Sequence, residues 1–256
     1  MISSSRSITS PLVATLIFVA FAGPLATEPQ RVTLPESISQ QTKALNSDFL
    51  LFPPNASPPT HKSPLLIFLH GGGGGRRPLD RFKKERVALE VQKRNLPLTV
   101  VIPQRTQNRD IEGGWQPDDL NLLLAYLIQH HAIDPDRVYL TGMSMGGAGT
   151  WFWANHSPQH FAAIAPIAAG GQTGPKDPLL VDPERLKGVP LWAFHGSKDK
   201  VCPHQQIEAL VEAIKQRGGT ARWTLYEGVG HGGIVPLVYQ TDQLFQWLLE
   251  QNRATH

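Results

Sequence analysis

The chain has 256 residues, of which 24 are Lys or Arg and 21 are Asp or Glu, so its formal net charge is +3. Its single Cys excludes a disulfide framework and any metal site built only from cysteines. The length and the 41% hydrophobic content suit one α/β domain with a sizeable core. An excess of three positive charges is too small to predict nucleic-acid binding, which needs a clustered basic face.

The first 22 residues have the pattern of a secretory signal. Arg6 precedes an apolar run from Pro11 to Ala20 that is too short to span a bilayer. The small residues Ala20 and Ala22 then fit a signal-peptidase site. An uncleaved anchor or a buried N-terminal helix is the alternative that these residues allow. We therefore predict a signal peptide at 1–22, no stable membrane insertion after its removal, and a secreted or periplasmic protein.

The rest of the chain divides into an extension and one domain. Residues 23–60 form an N-terminal extension rich in Ser, Pro, Thr and Gln, in which Asp48–Phe52 is the clear strand candidate. From 61 to 256, short apolar runs alternate with stretches of helical periodicity, which predicts an α/β domain with a mostly parallel sheet covered on both faces. The predicted strands are Leu65–Leu69, Leu98–Ile102, Arg137–Thr141, Phe161–Ala165, Leu191–Phe194 and, as an outer strand, Ala221–Tyr226. The predicted helices cover residues 80–94, 117–131, 146–156, 204–217 and 237–251.

A candidate nucleophile lies between a predicted strand and a predicted helix. In a parallel sheet, ligands bind beyond the carboxyl ends of the strands, so the loops there carry the candidate functional residues. The segment Gly142-Met143-Ser144-Met145-Gly146 has the G-x-S-x-G spacing, which holds a serine on a sharp, strained turn. Glycines are needed there because a Cβ would collide with the neighbouring strand and helix. The spacing alone is common, and its position between strand and helix makes Ser144 the candidate nucleophile.

Two further loops supply residues that can act with a serine. Asp199 follows the strand Leu191–Phe194, and His231 lies in the glycine-rich loop Glu227–Gly233. Asp199 could equally cap a turn or the next helix, and His231 could be a core histidine. The chain order Ser144, Asp199, His231 is the order of nucleophile, acid and base expected for a triad in this type of sheet.

A glycine run follows the first buried strand of the predicted domain. His70 precedes five consecutive glycines, Gly71 to Gly75, and glycine allows the backbone to turn its N–H groups toward a ligand. The N–H groups of Gly72 and Met145 are therefore the candidate donors to the oxyanion of a tetrahedral intermediate. A phosphate-binding loop is the alternative, but neither nucleotide-binding glycine pattern is satisfied.

One more strand-end loop can contribute to the same site. The loop Gln104–Trp115 carries Arg105, Arg109 and Trp115, and Trp115 is the candidate substrate-binding residue. The histidines show no metal-ligand spacing, and the chemistry of the candidate residues requires no metal and no cofactor.

Four segments together resemble the α/β-hydrolase superfamily: LLIFLHGGGGG (65–75), DPDRVYLTGMSMGGAGTW (134–151), PLWAFHGSKDKVCP (190–203) and EGVGHGG (227–233). Within this superfamily the chain is similar to secreted esterases grouped with polyhydroxybutyrate depolymerases, feruloyl esterases and prolyl-oligopeptidase-like hydrolases. The resemblance covers about residues 60–250 and implies an α/β-hydrolase fold with nucleophile Ser144, acid Asp199 and base His231. The segment Gly170–Val189 is too short to form a large lid domain.

The resemblance also implies an activity. It implies a serine hydrolase that cleaves carboxylic esters through an acyl-enzyme, with a small-molecule or carbohydrate-linked ester as the substrate. A serine peptidase of the prolyl-oligopeptidase-like type is the alternative, and the absence of a predicted second domain to select peptides disfavours it. A non-catalytic binding protein on the same scaffold is a more remote alternative, since all three candidate residues are present. The oligomeric state cannot be predicted from this sequence.

Overall fold

A computed structural model describes residues 28–55, 62–106, 114–170 and 181–255. In these ranges eight strands form one sheet: β1 (Gln30–Thr33), β2 (Leu45–Phe52), β3 (Ser63–Leu69), β4 (Thr99–Arg105), β5 (Ile133–Met143), β6 (Ala163–Ile167), β7 (Leu191–Gly196) and β8 (Ala221–Tyr226). Their order across the sheet is β1-β2-β4-β3-β5-β6-β7-β8. The two pairings of β2 are antiparallel, and every pairing from β4 to β8 is parallel. The predicted mostly parallel sheet is confirmed, with β8 as an outer strand.

Helices cover both faces of the sheet, as predicted. They are α1 (Glu36–Ser39), α2 (Arg86–Lys93), α3 (Pro117–His130), α4 (Met145–His156), α5 (Pro183–Leu186), α6 (Gln205–Gln216), α7 (Ile234–Gln240) and α8 (Asp242–Glu250). Helices α3, α4 and α6 bury apolar side chains on one face, and α2, α7 and α8 bury theirs on the other. Within the ranges given above, no helix is both long enough and apolar enough to cross a membrane.

Strand β3 shows why a strand covered on both faces is almost entirely apolar. Successive side chains of a strand point to opposite faces, so Leu65, Ile67 and Leu69 enter the core under α3 and α4. Leu66 and Phe68 enter the other core, under α2 and α7. Because both faces are covered, the strand has no polar side to expose and is a continuous apolar run.

Two of the predicted helices are each divided into two elements in the structure, so their prediction as single helices is wrong. Residues 80–94 are divided, because a 3₁₀ turn precedes Glu85, which is extended, and α2 begins only after it. Residues 237–251 are also divided, because Thr241 is extended and its Oγ1 accepts the N–H of Gln243 to cap α8. In both places a single extended residue interrupts a helical periodicity that continues on either side of it.

The N-terminal extension takes part in the sheet. It contributes β2, which contains the predicted strand Asp48–Phe52, and also β1, which was not predicted and is mostly exposed. The strand predicted at Phe161–Ala165 is observed two residues later, at Ala163–Ile167, and β5 is longer at both ends than the predicted strand Arg137–Thr141. The signal peptide at 1–22 lies outside the described residues and stays a prediction.

Candidate active site

Ser144 lies on the turn between β5 and α4, in a backbone conformation that is rare for a residue with a side chain. Its φ is 57° and its ψ is −120°, and such strain persists only where the surrounding structure enforces it. A Cβ on Gly142 would lie 2.4 Å from the carbonyl oxygen of Gly146. A Cβ on Gly146 would in turn lie 1.8 Å from the carbonyl oxygen of Leu69. The glycines of the G-x-S-x-G segment are therefore required by close backbone packing, for the reason given from the sequence.

The structure brings Ser144, Asp199 and His231 together at the carboxyl ends of the strands. Asp199 lies in the turn after β7, and His231 lies in the loop after β8. His231 Nδ1 is 2.7 Å from Asp199 Oδ2, and His231 Nε2 is 2.8 Å from Ser144 Oγ. The side chain of Asp199 is 1% exposed and that of His231 is 20% exposed. Because the carboxylate accepts from Nδ1, that nitrogen carries the proton, and Nε2 offers a lone pair to the serine hydroxyl.

Asp199 also closes its own turn. Its Oδ1 accepts the backbone N–H groups of Val201 and Cys202, at 2.8 and 3.0 Å. Burial by itself raises the pKa of this carboxyl, but the Cys202 N–H, His231 and the Val201 N–H outweigh it and hold the pKa of Asp199 below its ordinary value. The carboxylate is therefore ionised at neutral pH. Asp199 therefore caps its turn through Oδ1 and contacts the imidazole of His231 through Oδ2.

The two candidate oxyanion donors border Ser144. A Cβ on Gly71 would lie 3.6 Å from Ser144 Cβ, so the glycine loop packs directly against the turn that carries Ser144. Gly72 lines the same cavity as Ser144, and a Cβ there would meet no atom within 4 Å. Met145 follows Ser144 and begins α4, and the N–H groups in the first turn of a helix are available to an anion.

His70 supports the glycine loop, a role that the sequence interpretation did not assign. Its Nε2 accepts the backbone N–H of Arg105 at 3.1 Å, so Nδ1 carries the proton and donates it to the carbonyl oxygen of Gly71 at 2.8 Å. The ring is 3% exposed and stacks on Phe82, with ring centroids 5.1 Å apart. Burial lowers the pKa of His70 to about 4. A neutral imidazole therefore joins β3, β4 and the glycine loop.

The lowered pKa of His70 makes the stability of the protein depend on pH. The folded state holds this pKa near 4, against an ordinary value of 6.5, so the unfolded chain binds the proton first as the pH falls. This contribution is complete above the unfolded pKa and is lost as the pH falls toward the folded pKa. We expect the free energy of unfolding to drop by roughly 2 kcal/mol between pH 7 and pH 5 through His70 alone, as measured by urea denaturation.

A His70→Asn variant isolates this contribution. His131, His160 and His195 also have pKa values lowered by burial, so the wild-type protein reports several histidines together. The Asn side chain retains a donor for the Gly71 carbonyl oxygen but does not titrate. The variant should therefore lose less stability than the wild type over the same pH interval. Equal losses in the two proteins would contradict the assignment to His70.

A cavity of about 350 Å³ opens beside Ser144 and His231. Its apolar wall consists of Phe68, Phe82, Met143 and Val235. Arg77 and Glu85 add one cation and one carboxyl group, and burial raises the pKa of Glu85. Neither residue is among the site residues predicted from the sequence. Arg77 lies just past the glycine run, and Glu85 lies at the break before α2, which the continuous helix predicted for 80–94 concealed.

The placement of Trp115 corrects the prediction that it lines the substrate site. Its side chain is 3% exposed and packs in the core beside α4, and its Nε1 donates to the carbonyl oxygen of His70 at 3.1 Å. Arg105 also turns away from the cavity, since its Nε donates to the carbonyl oxygen of Gly114 at 2.6 Å. Arg109 lies outside the described residues. The described ends of the loop, at Arg105 and at Trp115, therefore contribute no side chain to the cavity.

A serine held on a strained strand-to-helix turn, in a sheet of this topology, defines the α/β-hydrolase class. Comparison with known proteins agrees, since residues 109–238 match the Dienelactone hydrolase family. The match covers half of the chain, and the chain belongs to this family. The superfamily expected from the four sequence segments is thereby confirmed. In the part of the chain that the structure describes, no group of three His, Cys, Asp or Glu side chains could hold a metal ion.

Individual proteins that resemble the chain in sequence or in fold include esterases and a peptidase. The chain is 26% identical over 171 residues to a bifunctional acetylxylan esterase/xylanase of Neocallimastix patriciarum, over 64% of this chain and 23% of that protein. The crystal structure of a thermostable esterase has a TM-score of 0.70 and 29% identity, over 88% of this chain and 63% of that chain. An acylaminoacyl peptidase of Pyrococcus horikoshii has a TM-score of 0.64 and 18% identity, over 87% of this chain and 41% of that chain, which shows the fold alone. The chain therefore spans less than two thirds of each of these proteins.

Proposed function

We propose that this protein is a serine esterase in which Ser144 is the nucleophile, His231 the general base and Asp199 the acid that orients the base. The observation that carries the proposal is the continuous series of contacts from Asp199 through His231 to Ser144, which ends at a cavity. Membership of the Dienelactone hydrolase family and the esterases among the relatives support hydrolysis of an ester.

The proposed mechanism proceeds through an acyl-enzyme. His231 Nε2 takes the proton of Ser144 as Oγ attacks the ester carbonyl carbon, and it gives that proton to the leaving alcohol oxygen as the C–O bond breaks. Water then adds to the acyl carbon while its proton passes to His231. The carboxylic acid leaves as Ser144 Oγ regains a proton from the same nitrogen. Asp199 stays ionised throughout and holds the imidazole in its Nδ1–H tautomer.

The negative charge of each tetrahedral intermediate develops on the former carbonyl oxygen. In the proposed mechanism the backbone N–H groups of Gly72 and Met145 donate to this oxygen, and removing one such donor typically costs a factor of about 10²–10³ in rate. Both groups belong to the backbone, so their positions depend on the loop that His70 supports and on the start of α4.

We further propose that the substrate is an ester with a small acyl group, free or linked to a carbohydrate. A cavity of about 350 Å³ is at the small end of ligand pockets, and its apolar wall suits a short acyl chain. Arg77 and Glu85 place a cation and a carboxyl group where hydroxyl groups of a sugar can bind. The acetylxylan esterase/xylanase relative supports a carbohydrate-linked acetyl ester as the first candidate.

The test is a substrate panel combined with covalent labelling. We expect hydrolysis of p-nitrophenyl acetate and of acetylated xylo-oligosaccharides, with kcat/KM for p-nitrophenyl octanoate lower by roughly tenfold or more because the cavity is small. A fluorophosphonate should leave its adduct on Ser144, as located by peptide mass spectrometry. Faster cleavage of acyl-peptide anilides than of esters would replace the proposal with a peptidase. Absence of both turnover and adduct would favour a binding protein on a hydrolase scaffold.

A further inference from the structure

A second histidine contacts the carboxylate of the proposed triad. His195 lies near the end of β7 and is fully buried, and its Nε2 is 3.2 Å from Asp199 Oδ2. The same nitrogen is 2.8 Å from the carbonyl oxygen of Cys202. Asp199 Oδ2 is also the oxygen that faces His231 Nδ1, at 2.7 Å. Two imidazoles, one from the end of β7 and one from the loop after β8, therefore share one carboxylate oxygen.

The contacts of His195 define its protonation state. A carbonyl oxygen can only accept a hydrogen bond, so Nε2 carries the ring proton. His195 Nδ1 is buried without a hydrogen-bond partner in the described ranges, and protonating it would bury an unpaired N–H. Burial accordingly lowers the pKa of His195. The ring is a neutral donor whose N–H goes to the Cys202 carbonyl oxygen, and the same nitrogen lies 3.2 Å from Asp199 Oδ2.

We propose that His195 is a positioning residue, whose Nε2–H group, 3.2 Å from Asp199 Oδ2 by its nitrogen, moderates the negative charge that this carboxylate presents to His231. The proposal rests on the serine esterase function given above. With His195 in place, Oδ1 accepts from two backbone N–H groups, Oδ2 accepts from His231 Nδ1, and the neutral imidazole of His195 lies beside the same Oδ2.

The charge effect has a definite direction. The N–H donor of His195 beside Oδ2 weakens the electrostatic stabilisation that the carboxylate gives to the imidazolium of His231 during catalysis. Removing that donor makes the imidazolium more stable, so a higher pH is needed to obtain the neutral base. A residue that only holds the loop, through the Cys202 carbonyl oxygen, would not change the pH at which the base becomes neutral.

Other titratable groups surround this contact. His204 lies against His195, with ring centroids 6.4 Å apart, and the thiol of Cys202 stays protonated at neutral pH because burial raises its pKa to about 11. Lys198 and Lys200 flank Asp199 in the chain, and both are exposed. Of these groups, His204 is the one whose ring contacts His195, and His204 is therefore the control.

The test is the pH dependence of kcat/KM for p-nitrophenyl acetate between pH 5 and 9, with the full chain. In H195L we expect kcat/KM at pH 6 to fall roughly tenfold, with the acidic limb moved up by about half a pH unit. In H195Q, whose amide N–H lies near the position of Nε2, the limb should stay at its wild-type pH. In the matched variant H204L, which removes an imidazole that contacts His195 but makes no described hydrogen bond or ion pair with Asp199, the limb should also stay.

Two outcomes would overturn the proposal. One is an acidic limb at the same pH in H195L and in the wild type, whatever the change in rate. The other comes from ¹⁵N NMR of the wild-type histidines, which does not depend on the folding of a variant. We expect His195 to be neutral with its proton on Nε2 from pH 6 to 8, and a proton on Nδ1 would remove the contact on which the proposal stands. A wild-type protein without esterase activity would refute the proposed function, while the NMR result would still decide the His195 contact.

Discussion

Replacement of Ser144 by Ala should lower kcat for ester hydrolysis by a factor on the order of 10⁵–10⁶, to the rate that the oxyanion donors and substrate binding alone sustain. The variant loses the attacking oxygen and therefore the acyl-enzyme route. Alanine keeps the Cβ, so the strained backbone at φ 57° is as costly as in the wild type. Thermal unfolding should accordingly change little, which separates a catalytic loss from a folding defect. Steady-state hydrolysis of p-nitrophenyl acetate measures the effect.

The matched control for this variant is Ser157→Ala. Ser157 lies at the opposite end of α4 and is buried, where its Oγ accepts from Asn121, so this change perturbs the same helix without touching the cavity. Its kcat should remain within about twofold of the wild type, since surface and structural changes away from the site act mainly on stability. A His231→Ala change added to Ser144→Ala should cost almost nothing more, because the two residues act as one unit. Retention of more than a tenth of wild-type kcat in Ser144→Ala would refute the nucleophile.

The residues of the proposed triad could be predicted from the sequence because local constraints fix each of them. Ser144 lies between glycines at which a Cβ would clash, and Asp199 and His231 lie in short loops after the parallel strands β7 and β8. Parallel strands end at the same edge of a sheet, so the chain order of the loops was enough to place these side chains near one another. The geometry of the contacts, 2.7 and 2.8 Å, is a property of the folded loops alone.

The supporting residues could not be predicted in the same way. His195 and His70 each belong to a strand-end segment, and their importance lies in contacts with Asp199 and with the Arg105 backbone that no sequence spacing encodes. Trp115 was predicted to line the substrate site because it lies in a loop that follows a strand. In the structure it is instead buried in the core beside α4. Local pattern predicts where the chain turns, and the direction of a side chain past the turn depends on packing between elements distant in sequence.

A substitution at Gly146, where α4 packs against β3 beside the turn that carries Ser144, should have the second large effect. Gly146 lies in the first turn of α4, and a Cβ there would stand 1.8 Å from the carbonyl oxygen of Leu69 and 2.8 Å from that of His70. Both obstacles are backbone atoms at the end of β3, so no side-chain rotation can relieve the clash. We expect Gly146→Ala to lower the free energy of unfolding by roughly 3 kcal/mol or more, measured by urea denaturation at pH 7.

Gly188→Ala is the matched control, because a Cβ at Gly188 would meet no atom within 4 Å. Its stability should stay within about 0.5 kcal/mol of the wild type. In whatever fraction of Gly146→Ala stays folded, α4 must move away from β3, which displaces Ser144 and the N–H of Met145 from the glycine loop. The kcat per folded molecule should therefore fall together with the stability. If the two glycine variants were equally stable, α4 could separate from β3 at little cost, and close packing would not be what enforces the strained turn at Ser144.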